Sequence, residues 1–158
     1  MALVIRRAAP SDFAALLAIE NAAFDGDRLS PRALRRSLVA PSMLVVVGES
    51  AGSVVGYGLA HVRRGGSRAR ITSLAVAGAP KGSGQALLLA LEAACRAKGL
   101  TGVRLEARED NVRAIALYRR AGYRAVGRRE NYYEDGAAAV RFEKALCDGP
   151  AAPVGAPG

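Results

Sequence analysis

Residues 71–89, ITSLAVAGAPKGSGQALLL, leave the chain few ways to fold locally. A short apolar run enters a glycine-rich turn, Lys81-Gly82-Ser83-Gly84-Gln85-Ala86, and leaves it as a leucine-rich stretch with helical spacing. A strand joined to a helix in this way leaves several backbone N–H groups unpaired and aimed one way, at the positive end of the helix dipole. Such an end accepts a phosphate or pyrophosphate. Taken alone, the same turn serves equally well as a plain chain reversal. It is not a P-loop, because G-x-x-x-x-G-K-[ST] is absent, and it is not a dinucleotide fingerprint, because Gly82 and Gly84 lack the third glycine of G-x-G-x-x-G.

Strands and helices alternate along the rest of the chain. Leu3 to Arg6 reads as an opening strand, and Ser11 caps an amphipathic helix running to about Phe24. After the loop Asp25 to Leu29, Ser30-Pro31 starts a second helix, with serine as cap and proline in the first turn. Met43–Glu49 and Val54–Val62 form a hairpin about Ser50-Ala51-Gly52-Ser53, and Ala69–Val76 is a fourth strand. The helix that begins at Gly82 runs to about Lys98 and stops at Gly99. Val103–Ala107 is a strand, and Asn111–Ala121 is a helix ended by Gly122. Tyr123 to about Tyr133 and Ala138–Leu146 close the domain as an antiparallel pair around Glu134-Asp135-Gly136.

The 158 residues, 51% of them hydrophobic, suffice for one domain with a proper core, placed at residues 1–146. Residues 147–158, largely Gly, Pro and Ala, are expected to be disordered. Cys95 lies within an apolar helix and Cys147 at the tail, a pattern of neither disulfides nor zinc, which points to a reducing, cytoplasmic setting and no metal. No apolar run approaches the ~20 residues of a membrane span. The net charge of +9 comes almost wholly from arginine, since Lys81, Lys98 and Lys144 are the only lysines. A basic surface favours polyanions. The arginines are spread along the whole chain, however, so nucleic acid is expected only as an incidental partner.

The order of elements, with LAVAGAPKGSGQALL, LEAREDNVRAIALYRRAGYRAVGRRENYYEDGA and VRFEKAL, resembles the GNAT superfamily of acetyl-CoA-dependent N-acetyltransferases. The resemblance spans residues 3 to about 146. The family motif [Q/R]-x-x-G-x-[G/A] reads here Lys81-x-x-Gly84-x-Ala86, with lysine where the family has Gln or Arg. The series L-E-x-R-x-x-N-x-x-A-I-x-L-Y, followed by N-Y-Y, is most similar to ribosomal-protein-alanine N-acetyltransferases, which act on protein N-termini. The resemblance implies an α+β fold, a twisted, mostly antiparallel sheet of about seven strands flanked by four helices. It also implies acetyl-CoA as cosubstrate and no metal.

The same resemblance implies roles for particular residues. An amine attacks the thioester directly, and a thiolate leaves. The segment Leu74-Ala75-Val76 offers backbone groups to the pantetheine arm, at a bulge or V-shaped opening between the fourth and fifth strands. The diphosphate lies over Lys81, Gly82, Ser83, Gly84, Gln85, Ala86 and Leu87. Glu106, opposite the opening, serves as general base, directly or through water; a solvated or ion-paired strand residue is the other reading. Asn111 and Tyr118 stand seven residues apart, on one helix face. Asn111 caps the helix and reaches the pantetheine. Tyr118, a phenol of ordinary pKa about 10, matches a departing thiolate as general acid. Asp27, Arg28 and Leu29 form one wall of the acceptor groove, and Tyr132, Tyr133 and Glu134 the other.

Three readings of function follow. The first is acetylation of a protein or peptide α-amine, which is easier than lysine for a single carboxylate base. The second is acetylation of a small amine such as a polyamine, amino acid or drug. The third is a non-catalytic acetyl-CoA-sensing or nucleic-acid-associated module, against which Glu106 and Tyr118 argue. Monomer and dimer are both compatible with the sequence.

Overall fold

The computed structural model describes residues 2–24, 26 and 28–146. The expected disordered tail, Cys147 and Asp27 lie outside the described residues. Seven strands form one sheet: β1 (Val4–Arg7), β2 (Met43–Ser50), β3 (Ser53–Val62), β4 (Arg68–Val76), β5 (Gly102–Arg108), β6 (Arg124–Arg129) and β7 (Ala139–Ala145). Their order is β1-β2-β3-β4-β5-β7-β6, and every pairing is antiparallel except β4 with β5. Four helices flank it: α1 (Phe13–Ala23), α2 (Pro31–Ser37), α3 (Ser83–Ala97) and α4 (Val112–Arg120). Among the described residues no helix is long and apolar enough to cross a membrane.

Alternation along β2 divides the core in two. Leu44 and Val46 face a cluster built with α3 and α4, around Leu87, Leu88, Leu91, Cys95, Tyr118 and Phe142. Val45 and Val47 face the opposite cluster, with Leu16 and Ile19 of α1 and Leu34 of α2. In α3, Leu87, Leu88, Leu91 and Cys95 recur at helical spacing and are fully buried. The α3 face comes so close to β3 that a Cβ on Gly56 would meet Leu87 Cδ1 at 2.8 Å and Val76 Cγ1 at 2.9 Å. The β2–β3 hairpin turns through Ala51 (φ 54°) and Gly52 (φ 82°), a two-residue turn with the twist that hairpins need.

Two boundaries differ from the sequence reading. Ser11 does not cap α1. Residues Pro10–Asp12 form a short 3-10 turn, and α1 begins after it. Asp12 is the residue tied down there, accepting from Arg6 at 2.8 and 2.9 Å and from the Ala9 N–H at 2.7 Å. The last hairpin is also shorter than expected. β6 ends at Arg129, because Asn131 takes a left-handed conformation (φ 50°) and the N–H groups of Tyr132 and Tyr133 both turn to Ala137 O.

A buried ion pair fastens α3 to the far strands. Glu92 is fully buried; it accepts from Tyr123 Oη at 2.8 Å and from Lys144 Nζ at 2.8 Å. Removing Lys144 leaves the buried Glu92, among the described residues, with only Tyr123 and, at 3.9 Å, Arg96, which costs more than the pair itself contributes. Lys144→Ala should therefore lower unfolding free energy by about 3 kcal/mol, as read by urea denaturation. Adding Glu92→Gln should recover a substantial part of that loss. A Lys144→Ala variant as stable as the parent would show that the pair has no such role.

Candidate active site

The sheet is not continuous. β4 and β5 pair only from Arg68↔Gly102 to Ile71↔Leu105, although β4 continues to Val76 and β5 to Arg108. At the same level β4 carries a bulge. Leu59 pairs with Ser73 and Ala60 with Ile71, so Thr72 is an extra residue that turns the strand away from its neighbour. The two strands part as a fork. Ala77 N–H bonds Val55 O at 2.9 Å, and alternation in an antiparallel ladder then turns the backbone groups of Val76 and Leu74 away from β3, into the opening.

A cleft of about 690 Å³ occupies the fork. Ile71, Thr72, Ser73 and Leu74 line it from β4, and Leu105, Glu106, Ala107 and Arg108 from β5. On the α4 side it is walled by Asn111, Ala114 and Tyr118. On the α1 side it is walled by Glu20, Ala23, Phe24, Gly26 and Leu29, with Tyr133, Glu134 and Asp135 from the loop before β7. The α4 and α1 walls belong to opposite core clusters, so the cleft passes through the sheet from one face to the other.

Tyr118 is 8% exposed, edge-on to Tyr123 with ring centres 5.9 Å apart and tilted against Phe142 at 6.0 Å. Its hydroxyl has no hydrogen-bond partner among the described residues, yet it is not sealed, and so it opens on the cleft. Burial pushes this phenol up to about 12. Asn111 is the cap of α4, its Oδ1 accepting from Ala114 N–H at 3.1 Å. Glu106 is the first β5 residue past the last paired rung. Its side chain is 7% exposed and lies between two guanidinium groups: Arg70 Nε donates to Oε1 at 2.9 Å, and Arg141 Nε lies 3.4 Å from Oε2.

Carboxylates that sequence reasoning did not select also line the cleft. Glu20 is 2% exposed; it accepts from Tyr57 Oη, from Ser73 Oγ at 3.2 Å and from Leu29 N–H at 2.8 Å. It thereby ties α1 to the loop after it and to β4 just past the bulge. Its signal was present in the sequence, an acidic side chain on the same helical stripe as Leu16 and Ile19. Asp135 accepts from Arg108 at 3.1 and 2.7 Å, and that guanidinium holds it down at about 2.

The match to known proteins decides what such a forked sheet belongs to. Residues 13–123 match the model of the acetyltransferase (GNAT) family. The chain belongs to that family. The N-alpha-acetyltransferase RimI of Mycobacterium tuberculosis is 36% identical over 109 residues, 68% of each chain. The ribosomal-protein-S18-alanine N-acetyltransferase of Escherichia coli superposes with a TM-score of 0.83 at 24% identity, covering 96% of this chain and 99% of that one. YncA of Salmonella typhimurium, solved with its cofactor acetyl-CoA, gives a TM-score of 0.77 at 22% identity, covering 97% and 98%. This GNAT protein is thus an acetyl-CoA-dependent N-acetyltransferase with the expected seven-stranded, mostly antiparallel sheet and four helices.

The start of α3 fits acetyl-CoA. Gly82 sits at φ 87°, a left-handed position natural to glycine, and no side chain caps the helix. Ser83 Oγ is spent on Pro80 O at 2.6 Å, and the N–H groups of Gly82, Gly84 and Gln85 have no partner among the described residues. β4 leads straight from the cleft wall at Leu74 to this turn. The segment from Lys81 to Leu87 does not itself line the cleft, and the Leu87 side chain is in the core, so only its backbone is open to a ligand. Ala75 likewise points into the α1 cluster. Among the described residues no group of three or more His, Cys, Asp or Glu side chains is placed to hold a metal.

Of the expected acceptor residues, Leu29, Tyr133 and Glu134 line the cleft, whereas Arg28 and Tyr132 do not. Arg28 turns back to cap α1, donating to Phe24 O and Asn21 O. Tyr132 accepts from Arg70 Nη2 at 2.7 Å and stands edge-on to Tyr133 at 5.0 Å.

Three buried phenols make an alkaline prediction. Burial raises Tyr118, Tyr57 and Tyr123, with Glu20 adding to the rise at Tyr57 and Glu92 at Tyr123. The folded state keeps protons that the unfolded chain releases near pH 10, so this stability is whole below about pH 10 and is lost as pH rises above it. The urea midpoint should fall steeply above about pH 10, with tyrosinate absorbance from these three residues appearing only on unfolding. Ionisation of all five tyrosines near pH 10 with the fold intact would contradict this.

Proposed function

We propose that this enzyme acetylates the α-amine of a protein or peptide N-terminus. The observation that carries the reading is the passage of one cleft through the sheet, from α4 with Asn111 and Tyr118 to α1 and the loop of Tyr133 and Glu134. Each face can thus be given to one of two reactants that meet at the fork. The 36% identical relative, named an N-alpha-acetyltransferase, supports the same choice.

Acetyl-CoA, when bound, supplies a thioester carbonyl open to attack by an uncharged amine. The protein's residues then have two proton tasks. Glu106, at the first step past the fork, takes the proton of the amine. Both oxygens of Asp135 are already bonded by Arg108 and Glu20 already accepts three hydrogen bonds, whereas Oε2 of Glu106 accepts none among the described residues. Tyr118 keeps its proton at neutral pH and has no competing partner, so it can deliver that proton on the α4 face. The N–H groups at Gly82, Gly84 and Gln85 hold the diphosphate, with Lys81 adding a point charge. Leu74 and Val76 align the pantetheine arm through their backbone groups.

The acceptor follows from charge. A protonated amine brought beside Glu106 also meets Arg70 and Arg141, so the site favours an amine that is readily uncharged. An α-amine, of ordinary pKa about 8, is deprotonated for about 3 kcal/mol less than a lysine side chain at about 10.4.

Tyr118→Phe should lower kcat about 100-fold with little change in KM for the acceptor, and Glu106→Gln should flatten the acidic limb of the pH–rate profile. Peptides with a free N-terminus should be acetylated about 100-fold faster at neutral pH than the same peptides blocked at the α-amine and carrying one lysine. Equal rates on the two, or a small amine outpacing both, would replace this acceptor assignment.

A further inference from the structure

The sheet is covered unevenly. α1 and α2 pack over β2, β3 and β4, and among the described residues no helix lies on that face of β5, β7 and β6. Val103, Leu105 and Ala107 of β5 point into the opposite cluster, so Arg104, Glu106 and Arg108 point to the uncovered face. Residues paired across strands share a face. Arg141 therefore stands with Glu106, and Glu143 with Arg104. On β6, Gly127 stands with Arg141, Arg129 with Ala139, and Arg124 with Glu143. Arg68 and Arg70 complete the face from β4, so arginine far outnumbers glutamate on it.

A pocket of about 250 Å³ lies in this face, lined by Glu106, Gly127, Arg128, Arg129, Ala139 and Arg141. Glu106 lines both this pocket and the cleft, so the two adjoin at the residue past the fork. The missing side chain of Gly127 opens the pocket; a Cβ there would meet nothing within 4 Å. Its positive charge is not fully matched. Arg128 is tied to Glu109 and Glu130, but among the described residues Arg129 has no carboxylate partner and only overlies the Tyr132 ring at 5.9 Å. Arg141 turns its buried Nε towards Glu106, a carboxylate already bonded to Arg70, and its two terminal nitrogens have no hydrogen-bond partner among the described residues.

We propose that this pocket is a carboxylate-binding subsite that selects acceptors bearing an acidic group close to the reactive amine. The proposal rests on reading the cleft as the amine site. Two guanidinium forks with spare donors suit a planar carboxylate. Neighbouring strands are about 4.8 Å apart, which puts Arg141 about 5 Å and Gly127 about 10 Å from β5. An extended peptide whose amine sits by Glu106 reaches that distance with the side chain of its second or third residue. The α-carboxylate of a dipeptide presents the same chemistry at the same reach.

The test compares kcat/KM for C-terminally amidated peptides that differ only in Glu, Gln or Lys at position two, and for a dipeptide as free acid and as amide. The Glu peptide should exceed the Gln peptide about tenfold, with Lys lower still, and the margin should shrink as salt is raised. Arg129→Gln, and Gly127→Val, whose Cβ meets nothing within 4 Å, should each bring the Glu-to-Gln ratio towards one. Preference for the dipeptide acid over its amide would place the α-carboxylate in the pocket, and preference confined to the longer peptides would place the side chain there. A Glu-to-Gln ratio within twofold of one, or a preference that survives both substitutions, overturns the subsite alone. Failure to acetylate any of these acceptors overturns the amine-acceptor reading and the subsite with it.

Discussion

The parting of β4 from β5 is the constraint on which the chemistry of this fold depends. Parallel strands that stayed paired would satisfy each other's backbone groups and close the sheet. Here pairing ends at Ile71 and Leu105, the bulge at Thr72 bends β4 aside, and the backbone of Leu74 and Val76 faces open space. Free backbone groups are costly unless something binds them, so the fork is a site before any side chain is considered. Both arms are pinned. Glu20 joins Tyr57 and Ser73 on β3 and β4 to Leu29, while β5 stays fully paired with β7 from Gly102 to Arg108. The opening is therefore held by the fold around it and does not wait for a ligand to force it.

Uneven cover on the sheet explains where charge resides. Each strand alternates, so a face without a helix must be polar, and β5 obeys this with Val103, Leu105 and Ala107 inside and Arg104, Glu106 and Arg108 outside. The arginines that make the chain so basic are thus partly organised, although their linear distribution suggests composition alone. Buried charges meet a stricter rule. Glu20, Glu92 and Asp12 are each hydrogen-bonded by at least two groups, as desolvation of a carboxylate demands.

What was legible in the sequence was local or carried by a family pattern. Ser30-Pro31, Ala51-Gly52, Gly99 and Gly122 mark their boundaries because capping and positive φ act within a few residues. The fork itself followed from the resemblance. What failed depended on partners distant in sequence or on side-chain direction. Asp12 displaces Ser11 as the anchoring residue because Arg6 reaches it across the turn. Arg28 is consumed by α1 carbonyls, a choice no spacing rule sets. Glu20 was not selected from the sequence, because the partners that hold it, Tyr57 and Ser73, lie 37 and 53 residues away. The arginine clamp on Glu106 joins strands separated by more than 30 residues, so neither guanidinium could be assigned beforehand.

That clamp bears on how one carboxylate can serve two pockets. Arg70 and Arg141 approach Glu106 from strands on either side, which fixes its rotamer without any contact from substrate. A group fixed in advance costs nothing to orient when the acceptor arrives. Under the proposed function, the same two cations disfavour a charged amine beside Glu106 and favour an anion just beyond it. On the proposed reading, one ion triad sets the cleft and the neighbouring pocket at opposite preferences. An acceptor with an uncharged amine followed closely by a carboxylate satisfies both, and an acceptor with a second cation in that place opposes both.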